Sequence, residues 1–331
     1  MVGGGPVGLA CAVEATRAGL SAIVLEKAGL LNTLQRFPTY TTFFSTPELL
    51  EIGGVPFVTA GGKPSRREAL VYYRKVKERW ALDARLYERV VGLRGEAGSF
   101  TVVTERGEHA ARRAVVATGF FDHPRLLGVP GEELPKVSHY YREAFPYSGT
   151  DVLIVGGKNS AVETALDLCR SGARVTMCVR GTEFGKSVKY WLRPDVENRV
   201  AEGSIRALFS TCVEEIRPRS VVLRRGEERL ELPNDFVLAL TGYRPDFDFL
   251  RALGIEVSAD GHLLYDESTM ETTVPGLYVA GVVAAGVDIG KLFIENGRLH
   301  AAVIAKHVAQ ALGRDVETPA PPALRRFQDG D

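Results

Sequence analysis

The chain has 331 residues, 45% apolar and 25% charged, the proportions of an ordinary globular protein with length for two cored domains. Its 41 Lys+Arg balance 41 Asp+Glu, so it lacks the basic field of a nucleic-acid binder. No apolar run nears the roughly 18 residues of a membrane helix, and no cationic stretch precedes the apolar start as in a signal peptide. The four cysteines (Cys11, Cys169, Cys178 and Cys212) form no C-x-x-C pair and no metal-ligand cluster, as expected of a reduced, cytosolic protein.

In chain order, Gly3-Gly4-Gly5-Pro6-Val7-Gly8 fits G-x-G-x-x-G and opens an Ala-rich helix over Leu9–Gly19. Ser21–Glu26 is a short apolar strand that ends in an acid. Ala114–Gly119 is a strand running into a small-residue turn. Asp151–Val155 is a buried strand, followed by Gly156-Gly157-Lys158-Asn159-Ser160-Ala161, a helix through about Arg170 and a strand at Arg174–Val179. Phe236–Asp246 and Leu277–Gly281 are further strands leading into turns, the latter followed by a helical segment. The tail beyond Arg314 is Pro-rich and charged, as in disordered segments.

The layout is one strand–loop–helix–strand unit used twice, and two copies carry far more weight than a lone glycine loop. Only Met1 and Val2 precede the first loop, whereas the second has a full strand before it. The repeat therefore predicts a central strand upstream, lost through a late gene start or a trimmed chain. Each loop lets backbone approach a pyrophosphate at a helix N-terminus. The residue closing the second strand then selects the nucleotide. Glu26 is a carboxylate acceptor for a ribose diol, which suits FAD, with Gly3, Gly5, Pro6, Val7 and Lys27 beside it. Arg180 is a guanidinium for the 2′-phosphate of NADPH, and Lys186 supplies a second cation. Gly156, Asn159, Ser160 and Ala161 complete that loop; Lys158 either lends charge to the pyrophosphate or points to solvent. The expected organisation is an FAD domain over 1–119 and 243–314, an inserted NADPH domain over 120–242 that includes Gly242, and a tail over 315–331. The fold class is α/β, with two Rossmann-like domains.

Several words narrow this. Thr42–Ser45 (TFFS), Leu50–Gly53 (LEIG), Ala117–Pro124 (ATGFFDHP), Val129–Val137 (VPGEELPKV), Gly156–Ser160 (GGKNS), Met270–Thr272 (MET), Ala280–Gly286 (AGVVAAG) and Phe293–Arg298 (FIENGR) together resemble the bacillithiol disulfide reductase, or YpdA-type, family of thioredoxin-reductase-like flavoproteins. The resemblance runs from Gly3 to about Ile304. It implies an FAD enzyme, usually a homodimer, that takes hydride from NADPH and reduces a low-molecular-weight thiol disulfide. It adds Thr42, the turns Ala117-Thr118-Gly119 and Gly281-Val282, and the backbone of Phe293 and Ile294 as FAD contacts.

Two departures stand out. The window where a thioredoxin reductase keeps its dithiol reads Ser138–Tyr147 (SHYYREAFPY), without cysteine, so no protein dithiol relays electrons there. The family pattern commonly places a cysteine, proposed as redox-active, after the loop proline; here that residue is Val7. Val282 stands where many related flavoproteins carry aspartate. No side chain is assigned a catalytic step, and the remaining candidates each have two readings. Cys11 is a core thiol or a redox partner. His139, with Tyr140 and Arg142, is linker surface or faces an anionic substrate. His300 is a core histidine or approaches the flavin. A ferredoxin or flavodoxin reductase of the same fold, and a slow redox sensor, remain the alternative functions.

Overall fold

The computed structural model describes residues 1–288 and 290–314; the tail 315–331 lies outside them. The chain divides into two compact units. Unit 1 comprises Met1–Gln35, Tyr40–His123 and the described residues from Tyr243 onward; unit 2 comprises Arg36–Thr39 and Pro124–Gly242. Among the described residues no helix is long and apolar enough to cross a membrane.

Unit 1 is built on short parallel strands. Ile23–Glu26 pairs with Asp83–Leu86, and Ala114–Val116 pairs with Leu277–Val279. Val2 joins the two pairs, bridging Leu25 on one side and Val116 on the other, both in parallel. Its amide donates to Val115 O (2.8 Å), while Leu25 N–H donates to Met1 O (2.8 Å). Met1 and Val2 thus occupy the central position that the repeat assigns to a strand. The apolar helix Pro6–Arg17 follows, and it packs against the C-terminal helix His300–Ala311. An antiparallel sheet of Val90–Arg94, Phe100–Thr104 and Gly107–Ala111 completes the unit, and Val90 and Val102 share a core with Val2 and Leu25.

Unit 2 has a five-stranded parallel sheet in the order Ile205–Leu208, Arg174–Cys178, Asp151–Val155, Phe236–Ala239, Val137–Ser138. The helix Asn159–Arg170 covers one face through Ala161, Val162, Ala165 and Leu168. The other face packs on an antiparallel sheet of Cys212–Ile216, Ser220–Arg225 and Glu228–Pro233, with Leu153, Val155, Val221 and Leu223 in the core between. Strands buried on both faces explain the uninterrupted apolar runs of this half of the sequence.

The passage out of unit 1 falls between His123 and Pro124, a few residues beyond the expected boundary. Local ties explain the shift. Phe121 lies 4.7 Å from Tyr243 ring to ring, Lys27 Nζ is 2.7 Å from Asp122, and His123 Nε2 is 3.3 Å from Asp246. Arg36–Thr39 belongs to unit 2 because Thr39 N–H donates to Arg142 O (2.7 Å) and the Arg36 guanidinium lies over the Tyr140 ring at 4.3 Å. Leu168 is fully buried in the core of unit 2. Leu168→Ala is expected to destabilise that unit by about 2–5 kcal/mol, read by urea unfolding.

Candidate nucleotide and redox sites

In the first loop each motif glycine has a distinct physical role. Gly3 sits at φ +112, and a methyl group there would lie 2.6 Å from Ala117 O. A methyl group on Gly8 would lie 2.0 Å from Gly3 O, so the helix packs directly on the turn. At Gly5 a methyl group would meet nothing within 4 Å: the space over the helix start is open. Gly5 caps the helix, Pro6 opens it, and its first turn holds no acidic residue. The helix start and its dipole therefore face that space with no acidic side chain from the helix's own first turn.

Glu26 closes this cradle. The residue is 7% exposed, and its carboxylate accepts from Gly4 N–H (2.7 Å) and Ala28 N–H (3.0 Å). Two backbone donors hold it in place, and it keeps further acceptor capacity for a ribose diol. The cradle therefore suits the adenosine diphosphate half of a dinucleotide. Lys27 does not contribute a free cation, since its ammonium pairs with Asp122.

The remaining unit 1 candidates converge in a chain of close approaches. A methyl group on Gly3 would lie 3.3 Å from Thr118 Cα, and one on Gly119 would lie 3.7 Å from Val282 Cγ2. Gly281 packs on Val7, where an added methyl group would meet the valine at 3.0 Å, and Gly297 packs on Gly281 in the same way. Gly281 N–H donates to His300 Nδ1 (3.2 Å), which fixes the ring as the neutral Nε2–H tautomer. Burial pushes the His300 imidazole down to about 4. The helix at Ile294 is only four residues long, and Phe293 N–H is committed to Asn296 Oδ1 (2.7 Å). The Phe293 amide, expected from the resemblance among the FAD contacts, is thus engaged within its own turn. Thr42 is exposed and bridges Ser65. Ser45 and Glu295, neither singled out individually, hydrogen-bond and so join the TFFS and FIENGR words. Only a three-dimensional pairing reveals that contact.

The thiols fall outside this geometry. Cys11 is 2% exposed and burial pushes its thiol up to about 12, so it is a core residue. Cys178 is buried too, whereas Cys169, in the last turn of its helix, is only partly so. His139 lies 3.4 Å from Glu132 within unit 2.

The second loop repeats the plan. Gly156 sits at φ +143 against Leu240 O, where a methyl group would lie 2.6 Å away, and it faces Ala161 Cβ. Gly157 packs on Val179. Lys158 caps the helix in extended backbone, which any residue adopts, and the first turn again holds no acid. Asn159 is tied down: its amide donates to Ser187 O (2.8 Å) and its carbonyl accepts from Lys189 N–H (2.9 Å). It shapes the loop rather than offering a free side chain. The same ties bring 185–189 beside the glycine loop, with Gly185 N–H on Gly157 O (2.8 Å). Gly185 has no side chain, and a methyl group there would lie 3.0 Å from Lys158 Cγ. Lys158, Ser160, Arg180 and Lys186 are exposed, and among the described residues none of the three cations has an ion-pair partner. Gly242 O accepts from Arg125 N–H (2.9 Å).

Known proteins match this architecture. The pyridine nucleotide-disulphide oxidoreductase family matches residues 1–281. Bacilliredoxin reductase Bdr of Bacillus subtilis is 44% identical over 94% of this chain and 97% of its own. The solved structure of bacillithiol disulfide reductase Bdr (YpdA) from Bacillus cereus superposes with a TM-score of 0.91 at 42% identity, over 94% of this chain and 98% of that one. The thioredoxin reductase of T. acidophilum, at 20% identity, 94% and 97% coverage and TM-score 0.75, shares the fold. Two glycine-loop units on this fold define an oxidoreductase of the thioredoxin-reductase-like class. More narrowly, the chain belongs to the pyridine nucleotide-disulphide oxidoreductase family, in its bacilliredoxin reductase (YpdA-type) branch.

Two outcomes follow from this geometry. Gly8→Ala places a methyl group against Gly3 O, so purified protein should lose most of its bound flavin, read from the visible spectrum. His300 charges near 6.5 when unfolded and near 4 when folded. Its contribution to stability is full above pH 6.5 and is lost as pH falls through 4. The unfolding midpoint of the wild type should therefore drop more steeply over that window than that of His300→Gln.

Proposed function

We propose that this chain carries electrons from NADPH, through FAD held by unit 1, to a low-molecular-weight thiol disulfide, bacillithiol disulfide being the substrate. The observation that carries the reading is the opposite chemistry of the two strand ends. Unit 1 ends on a backbone-anchored carboxylate, Glu26, and unit 2 on exposed Arg180 with Lys158 and Lys186 unpaired among the described residues. A carboxylate accepts from a ribose diol and repels a 2′-phosphate, whereas the cations attract one. The substrate is taken from the name of the solved relative at 42% identity, a bacillithiol disulfide reductase.

The net reaction is RSSR + NADPH + H⁺ → 2 RSH + NADP⁺. When bound, the flavin supplies the two-electron step between nicotinamide and disulfide. The residues of the chain do the rest. Gly3, Gly5 and Gly8 admit the pyrophosphate to the helix start, and Glu26 holds the ribose. Val7, 8% exposed, and Gly281 form an apolar, thiol-free surface at the position where the family pattern carries its proposed cysteine. His300, neutral at physiological pH, fixes the Gly281 amide. With Cys11 sealed in the core, unit 1 offers no thiolate for a mixed disulfide, so the disulfide must take its electrons without a thiol relay in that unit.

Stopped-flow traces test the reading. NADPH should bleach the flavin, and bacillithiol disulfide should restore its colour within turnover time. Recolouring by ferredoxin but not by the disulfide would instead favour a ferredoxin reductase, and neither would leave a sensor. Replacing two of the three cations (Arg180→Ala with Lys186→Ala) should raise KM for NADPH about 10- to 100-fold, with kcat and the NADH reaction nearly unchanged.

A further inference from the structure

Tyr87 follows the strand Asp83–Leu86 and is 62% exposed. Its backbone sits at φ +56, a region that a bulky aromatic residue occupies only under strain. The position is set by three short bonds around Glu26. Tyr87 N–H donates to Ala28 O (3.1 Å), Ala28 N–H donates to the Glu26 carboxylate (3.0 Å), and Glu88 N–H donates to Glu26 O (2.8 Å). The phenol oxygen reaches back over the loop, 3.4 Å from where a Gly29 methyl group would lie. Among the described residues the ring stacks on no other and the hydroxyl has no hydrogen-bond partner. A large aromatic face is thus held, strained and open to solvent, and tied through Ala28 to the carboxylate that suits a ribose.

We propose that Tyr87 is the platform on which the adenine ring of the unit 1 dinucleotide stacks. This rests on the reading of unit 1 as the FAD unit. A ribose bound to Glu26 carries its base past the ends of the parallel strands Ile23–Glu26 and Asp83–Leu86, where Glu26 faces Leu86 in register and Tyr87 comes next. Stacking on an aromatic face stabilises a base without hydrogen-bond readout, so the phenol hydroxyl is dispensable. It also gives a reason for a tyrosine at a position where glycine would relieve the backbone.

The test uses the full-length protein reconstituted with FAD or with FMN, which lacks adenosine. Flavin release on dilution is followed by flavin fluorescence. Tyr87→Ala should weaken FAD by about 10- to 100-fold and leave FMN unchanged, while Tyr87→Phe should match wild type for both. Tyr87→Gly should lose FAD affinity in the same way, yet unfold at or above the wild-type temperature once flavin-free, because the positive φ no longer costs strain. Equal weakening of FAD and FMN by Tyr87→Ala, or no weakening of either, overturns the proposal. Wild-type protein that holds neither flavin overturns the FAD reading of unit 1 itself, and the proposal with it.

Discussion

The structure depends on backbone meeting backbone at the start of a helix. Gly8 rests on Gly3 O with no room for a carbon between them, and Gly3 in turn abuts Ala117 O. This contact draws the helix Pro6–Arg17 onto the ends of the parallel strands and leaves its first amides facing open space at Gly5. Unit 2 repeats the constraint with Gly156 against Leu240 O and Ala161. An anion is then met by fixed dipoles that need no reorganisation on binding.

In the proposed reading the neighbouring strand ends discriminate between the nucleotides, and the two units hold the groups concerned in opposite ways. Glu26 is withdrawn from solvent and pinned by two amides, so its position is set before any ligand arrives. Arg180 and Lys186 are exposed, and their charge acts through solvent until a phosphate arrives. Pre-organisation suits a cofactor that stays bound through many turnovers, whereas a looser, charge-led site suits a substrate that must leave after each one.

Val7 gives the site its chemical character. It is buried, packed on Gly281, and linked through that glycine to the neutral ring of His300. The surroundings are glycine backbone, valine and an uncharged imidazole. The same burial that lowers His300 raises Cys11, so both groups stay uncharged at neutral pH. Unit 1 thus places no protein thiolate at the position where the family pattern has its cysteine.

Much of this was legible from spacing alone. Glycines at fixed intervals, an Ala-rich helix and an acid or arginine at a strand end are local features, each dictated by the geometry of one loop. The sequence determined two glycine-loop units whose second strands end on opposite charges, the absence of a C-x-x-C pair and the odd valine at position 7. Tertiary structure alone decided which groups remain available to a ligand. Asn159 is consumed by Ser187 and Lys189, Phe293 N–H by Asn296 and Lys27 by Asp122, while Tyr87 stays open beside Glu26. Phe120–His123 joins unit 1 through Tyr243 and Asp246, residues more than a hundred positions away in the chain. A motif records the backbone path around a ligand; whether a side chain is free depends on partners that are distant in sequence, and no local pattern carries their identity.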